Sequence, residues 1–234
     1  MKPCLHETDR FVFIDWGRRG YADAIQEMNA LVEDRIAERG KDTIVFVEHD
    51  PVITLGRMAK SGHIIGPLDE TGSSVSGIPV VSCDRGGDVT LHSPGQLVIY
   101  PIIALKVREQ RLHDLLTAYE EWMIRTAETF GVRSFRIKGK TGVWTETGKL
   151  ASIGIHLKRW VTYHGIALNV SNDLKLFDNI VPCGLHGIKM TSLALETGHR
   201  IDIKEVKTCA LRIFHGLWDD FSENRKGVKP CMGK

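Results

Sequence analysis

The sequence predicts an α+β protein, α/β in loose usage, with a mixed, largely antiparallel sheet covered by a few helices. Short β-branched runs follow one another with turn signals between them, amphipathic helices interrupt only a few times, and no strict strand–helix alternation runs along the chain. At 234 residues, 42% hydrophobic and 26% charged, the chain can bury a full core as one large domain.

Phe11 to Ile14 reads as a short strand, after which Tyr21, Ile25, Met28, Val32 and Ile36 recur at helical spacing until Gly40 stops them. Thr43 to Val47 and Val52 to Leu55 are strand runs separated by the turn signal His49-Asp50-Pro51. Residues 57–77 are rich in Gly and Ser and read as a mobile loop of the kind that often covers a site. Ile78 to Val81, Val89 to Leu91 and Leu97 to Ile103 resume the strand pattern, and Leu112, Leu115, Tyr119, Trp122 and Ala127 mark a second long helix closed by Gly131. Val132 to Ile137, Gly142 to Trp144, Leu150 to Leu157 and Tyr163 to Val170 read as four further strands, with residues 145–148 and 158–160 as hairpin turns. Val206 to Phe214 suggests a last helix, whose apolar stripe includes Cys209. The expected organisation is a catalytic domain over residues 1–216 and a polar tail over 217–234, with Trp122, Trp144, Trp160 and Trp218 packed in the core or at its rim.

Composition narrows the functional classes. With Lys+Arg 31 against Asp+Glu 29, the charge is too balanced for an electrostatic case for nucleic acid or an anionic membrane. Glu7 and Asp9 interrupt any apolar leader, and the longest apolar stretch, Leu97 to Leu105, holds Pro101 and falls well short of the ~20 residues needed to span a bilayer. Cys4, Cys83, Cys183, Cys209 and Cys231 are odd in number, scattered and without a C-x-x-C pair, which argues against a disulfide framework and for a soluble protein of the reducing cytoplasm.

The segment R-G-G-D-V-T-L-H-S-P-G-Q, Arg85 to Gln96, combines an arginine, three glycines and His92 beside an apolar strand, and bare backbone of this kind admits close approach. Neither a phosphate-binding loop nor a dinucleotide fingerprint is present, so a nucleotide-driven reaction has no positive support. A cysteine is usually a small buried hydrophobe, but Cys183 stands between Pro182 and Gly184, a pair suited to a sharp turn that presents a side chain. A lysine leaving a turn is usually solvated. Strand parity, however, puts Lys149 on the side of Ala151, Ile153, Ile155 and Leu157, where a buried amine could exchange a proton with a thiol. A rival reading groups Cys183 and His186, a C-x-x-H, with His156 and His164 as zinc ligands, but it lacks the paired spacing of established sites.

With these residues assembled, the chain closely resembles the octanoyltransferases of lipoate biosynthesis, which move an octanoyl group from acyl carrier protein to lipoyl domains. The likeness rests on V-E-H-D-P-V-I-T-L-G-R (47–57), D-R-G-G-D-V-T-L-H-S-P-G-Q-L-V-I-Y-P-I (84–102), G-K-L-A-S-I-G-I-H (148–156), Y-H-G-I-A-L-N-V (163–170) and P-C-G-L (182–185). The resemblance implies a catalytic domain like that of the biotin and lipoate protein ligases. It implies Cys183 as the acyl-thioester nucleophile and Lys149 as the lysine that makes this thiol more acidic. Segments matching the acyl-site lining are Arg85, Gly86, Gly87, Asp88, Val89, Thr90, Leu91 and His92, then Ser152, Ile153 and Gly154, then Gly165, Ile166 and Ala167. Leu91 stands where an aromatic is frequent and Ser93 where glycine is usual, which bears on pocket shape. The implied donor is octanoyl-acyl carrier protein, and the implied acceptors are lipoyl domains of 2-oxoacid dehydrogenase complexes and the glycine cleavage protein. Thioester-to-amide transfer is downhill, so no ATP is required, and neither cofactor nor metal is expected. Arg136, Lys138 and Lys140 are a candidate basic patch for the acidic carrier, against the plainer reading of a solvated turn. An ATP-dependent lipoate or biotin protein ligase and a non-catalytic carrier-binding module are the alternatives.

Overall fold

A computed structural model describes residues 4–105, 112–184 and 187–223. In chain order its elements are β1 (Cys4–Glu7), β2 (Phe11–Arg19), α1 (Tyr21–Ile36), β3 (Asp42–His49), β4 (Val52–Leu55), β5 (Ser74–Val75), β6 (Ile78–Ser82), β7 (Val89–His92) and β8 (Gln96–Ile102). They continue with α2 (Leu112–Thr129), β9 (Phe135–Ile137), β10 (Lys140–Trp144), β11 (Lys149–Lys158), β12 (Val161–Asn169), α3 (Leu193–Thr197) and α4 (Ile203–Glu223).

The strands form two sheets where the sequence suggests one. An eight-stranded sheet runs β1-β2-β3-β8-β12-β11-β10-β9, and a four-stranded sheet runs β5-β6-β4-β7. All pairings in the large sheet are antiparallel except β2 with β3, as the mixed pattern predicts. The chain leaves the large sheet at Asp50-Pro51, and β4 then pairs with β7 and β6. Nothing in the short apolar runs of β4 and β7 tells them from strands of the main sheet, because alternation reports burial and not partner.

Burial explains the layers. β3 and β8 are covered on both faces, so their residues are apolar almost throughout. On one face α1 lays Ala24, Met28 and Val32 against Val45, Val47, Val98 and Tyr100. On the other, α2 and α4 pack through Trp122 and Phe214, whose rings lie 4.8 Å apart, and the Trp122 indole donates to the Ala210 carbonyl at 2.7 Å. Phe11, Phe13 and Trp218 pack edge-on or stacked around Phe214. The last helix is longer than the expected 206–214, and the expected boundary at 216/217 falls inside it, next to buried Trp218.

At the edges, the buried Asp42 carboxylate accepts from Arg10 and Arg35 and from the Ala104 N–H, tying α1 to the sheet. The β11–β12 hairpin turns through Arg159 (φ 48°) and Trp160 (φ 63°), two left-handed residues as a two-residue I′ turn requires. Trp160 stays 48% exposed there, while Trp122, Trp144 and Trp218 are buried.

Phe214→Ala removes the ring that joins the helices to β2, and should lower stability by about 3–5 kcal/mol. A fall in the urea midpoint at unchanged slope is the expected result.

Candidate active site

Cys183 occupies a 3₁₀ turn, Pro182–Gly184, with its own backbone left-handed at φ 58°, ψ 18°. A non-glycine residue adopts this conformation only where its surroundings impose it. The Gly184 N–H closes the turn on the Val181 carbonyl at 3.0 Å, and the Val181 N–H in turn donates to the His63 carbonyl at 2.7 Å. The 57–77 segment, expected as a mobile loop, is therefore bonded to the turn that carries the thiol. It is further tied by the Ile65 and Gly66 N–H groups to the Asn179 carbonyl, and its Ser and Thr hydroxyls gather on Asp69.

Lys149 begins β11 and is pinned on its backbone: its N–H donates to the Lys189 carbonyl at 2.8 Å and its carbonyl accepts from the Thr191 N–H at 3.0 Å. The side chain is 2% exposed. It ends 5.1 Å from the Trp144 ring centre and donates from Nζ to Cys183 Sγ at 2.9 Å. Thus the two residues singled out in the sequence, 34 positions apart, meet at hydrogen-bond distance.

The glycine segment is held by its own arginine. Arg85 donates to the Thr54 carbonyl and hydroxyl and, through Nη1, to the Gly86 carbonyl. Gly86 donates to the Ile155 carbonyl, and a Cβ there would stand 2.9 Å from that oxygen, while one on Gly154 would stand 2.7 Å from the Gly86 oxygen. Here the missing side chains serve backbone-to-backbone packing. Ahead of the arginine, Asp84 accepts from Tyr163, His156 and His164, and although burial opposes it, the bonds from Tyr163 and His164 hold the carboxyl down at about 2.

A cavity of about 380 Å³ opens between the segment and the large sheet. Arg85 to Thr90 and His92, Lys149, Ser152 to Gly154, Gly165 to Ala167 and Cys183 all line it. Leu91 does not: it points the opposite way from Thr90 and His92 and packs in the small-sheet core with Ile53 and Phe177. Its expected place among the lining residues, and any effect of Leu91 or buried Ser93 on pocket shape through direct contact, are corrected by this parity. The sequence reading missed Tyr21, Val98, Tyr100, Leu116 and Ile155 on the wall. Tyr21 and Tyr100 read as ordinary core aromatics, and only the neighbouring histidines signal their polar setting. Met58 and Leu112, both well exposed, stand at the mouth.

His92 on the wall and His49 behind it are both held neutral in a polar network. His92 donates Nδ1–H to Gln96 Oε1 at 2.7 Å, and His49 donates to the Arg19 carbonyl and accepts from the Tyr100 hydroxyl at 2.7 Å. Burial pushes His92 down to about 3 and His49 to about 4. Gln96 passes the network to Asn169, and Asn169 to the Thr191 carbonyl. His156 and His164 turn to Asp84, and His186 lies outside the described residues, so the zinc reading gains no shared site. Of the candidate basic patch, Arg136 is paired with Glu120 and Glu121 and Lys140 lies over the Trp144 ring.

At the cavity, then, a cysteine sulfur meets a buried lysine amine beside the aliphatic side chains of Val89, Val98, Ile153 and Ile166. Residues 20–215 match the lipoyl protein ligase A/B catalytic domain, and the chain belongs to that family. The octanoyltransferase of Syntrophotalea carbinolica is 47% identical over 87% of this chain and 92% of its own length, and that of Geobacter sulfurreducens 41% identical over 93% and 89%. The chain accordingly stands among the octanoyltransferases and is an acyltransferase. In fold it is similar to a bipartite lipoate protein ligase from Thermoplasma acidophilum (TM-score 0.68, 16% identity, 92% of this chain and 85% of that one). It is also similar to a lipoate-protein ligase A bound with ATP (TM-score 0.67, 12% identity, 95% and 97%). Among the described residues no helix is long and apolar enough to cross a membrane.

His49 and His92 carry a pH consequence. Their pKa values fall on folding from 6.5, so the unfolded chain binds protons first on acidification. The stability this represents is complete above pH 6.5 and is lost as pH falls toward 4 and 3. The urea midpoint should drop over that window, and His92→Gln should flatten the slope.

Proposed function

We propose that the protein transfers an octanoyl group from octanoyl-acyl carrier protein to a lysine of lipoyl domains through a thioester on Cys183. The 2.9 Å contact between Lys149 Nζ and Cys183 Sγ at the cavity is the observation that carries this reading. The thiolate is the nucleophilic form of a cysteine, and the Lys149 amine is within reach to exchange its proton. The thiolate attacks the carbonyl carbon of the donor thioester, and the phosphopantetheine sulfur leaves with a proton from Lys149. The acceptor amine then attacks the octanoyl-enzyme, Cys183 departs, and the proton released as the amide forms returns to Lys149. A thioester becomes an amide, so the cycle calls for neither ATP nor a cofactor.

The cavity's Val89, Val98, Ile153 and Ile166 suit an aliphatic chain. Because the Gly184 N–H is already bonded to Val181, the backbone of Ser152 to Gly154 beside Gly86 is the better source of oxyanion donors. The reducing cytoplasm, where both carrier domains would be met, is the proposed compartment. The acceptors are lipoyl domains of the 2-oxoacid dehydrogenases and the glycine cleavage protein.

Mixing the protein with octanoyl-acyl carrier protein, without ATP or acceptor, should yield one octanoyl adduct that maps to Cys183 and is discharged by a lipoyl domain. Product that forms only with ATP, with no adduct, would overturn the reading in favour of a ligase. Cys183→Ser should abolish transfer. Lys149→Arg, which keeps charge but holds its proton, should slow it by roughly 10²–10⁴-fold, and a normal rate would exclude a proton shuttle.

A further inference from the structure

Among the described residues one carboxylate lines the cavity, that of Asp88. It lies against the residue that follows the nucleophile: a Cβ placed on Gly184 would stand 2.6 Å from Asp88 Oδ2 and 2.8 Å from His63 Cε1. Glycine at 184, at φ +67°, is what lets this pair close on the Cys183 turn.

The carboxylate is aimed on both sides. Oδ1 accepts from the Val89 N–H at 2.7 Å and Oδ2 from His63 Nδ1 at 2.8 Å. His63 is itself anchored through its carbonyl to the Val181 N–H. Among the described residues these are the two hydrogen bonds the carboxylate accepts, and a carboxylate offers about four acceptor positions, which leaves room for a further donor. The side chains are 10% and 14% exposed, which limits screening.

The cations on the same wall are already engaged. Arg85 is bonded to Thr54 and Gly86, Lys149 to Cys183, and Lys140 lies over Trp144. The substrates also differ in charge where they react: the donor thioester is neutral and the acceptor lysine arrives as an ammonium.

We propose that Asp88 captures the ammonium of the acceptor lysine beside the octanoyl-enzyme, with His63 as the positioning residue that aims the carboxylate. This rests on the covalent reading above. The captured ammonium gives one proton to solvent before attack, and the neutral amine then forms the C–N bond as the C–S bond to Cys183 breaks. A carboxylate favours the charged amine, so Asp88 acts on capture, and its loss falls on the half-saturating acceptor concentration more than on the limiting rate.

The test preforms the octanoyl-enzyme and discharges it with either a lipoyl domain, whose lysine is cationic, or hydroxylamine, which is uncharged at neutral pH. Asp88→Asn keeps the shape and can still accept from the Val89 N–H through Oδ1, while its Nδ2 donates to His63 Nδ1 in the other ring tautomer. It should raise the half-saturating concentration of lipoyl domain about tenfold relative to hydroxylamine. Asp88→Glu should recover part of that, and His63→Phe should shift the ratio in the same direction by less. An unchanged ratio in Asp88→Asn, or an equal loss with both nucleophiles, overturns the assignment. If wild-type protein forms no octanoyl adduct at all, the covalent reading fails first and is recognised as that failure.

Discussion

One contact organises this molecule, the meeting of a buried amine with a thiol. Taking a lysine out of water costs several kcal/mol unless a partner compensates, and a cysteine in a left-handed turn adds strain of about 1–3 kcal/mol. Both liabilities are met by backbone. Lys149 is bonded fore and aft to the 189–191 segment, and the Cys183 turn is bonded through Val181 to His63. The amine has the sulfur on one side and the electron-rich face of Trp144 on the other. The rest of the site is arranged around keeping that geometry.

Bringing the remaining walls close depends on absent side chains at specific points. A Cβ on Gly165 would come within 2.0 Å of the Ile99 carbonyl, and one on Gly148 within 2.5 Å of the Lys189 carbonyl. With Gly86 and Gly154 they let the glycine segment, β8, β11 and β12 approach backbone to backbone along the cavity. Polar groups buried by this approach are bonded in series, from His92 through Gln96 and Asn169 to Thr191, which joins the small sheet to the segment that holds Lys149. Such a network has value only when each member is satisfied.

Much of this was legible in the residues. Helical spacing located α1 and α2, alternation located the strands, and parity placed Lys149 on a buried side, because each of these signals is local. Cys183 stood out by its Pro and Gly neighbours. The division into two sheets was not legible, since strand pairing is decided by contacts distant in sequence. Leu91 came into the lining with the whole 85–92 segment that the family resemblance implied, although adjacent residues of a strand face opposite ways. β1 and α3 are short and carry too few periodic positions to announce themselves, and α4 outran its expected span because Trp218, one turn beyond Phe214 and stacked on it, continues the packed face. His63 looked like an ordinary polar loop residue, and Asp88 entered only as one member of the lining segment, until the fold set both against Gly184.

The position of Trp144 has an optical consequence. Of the chain's five tryptophans, Trp16, Trp122 and Trp218 are buried elsewhere in the core and Trp160 sits in solvent at a hairpin tip, whereas Trp144 faces the Lys149 amine. Indole emission responds to a charge against its ring, and the charge here belongs to the partner of Cys183. With Trp160 replaced by phenylalanine, a change at the Lys149–Cys183 pair reaches intrinsic fluorescence through Trp144.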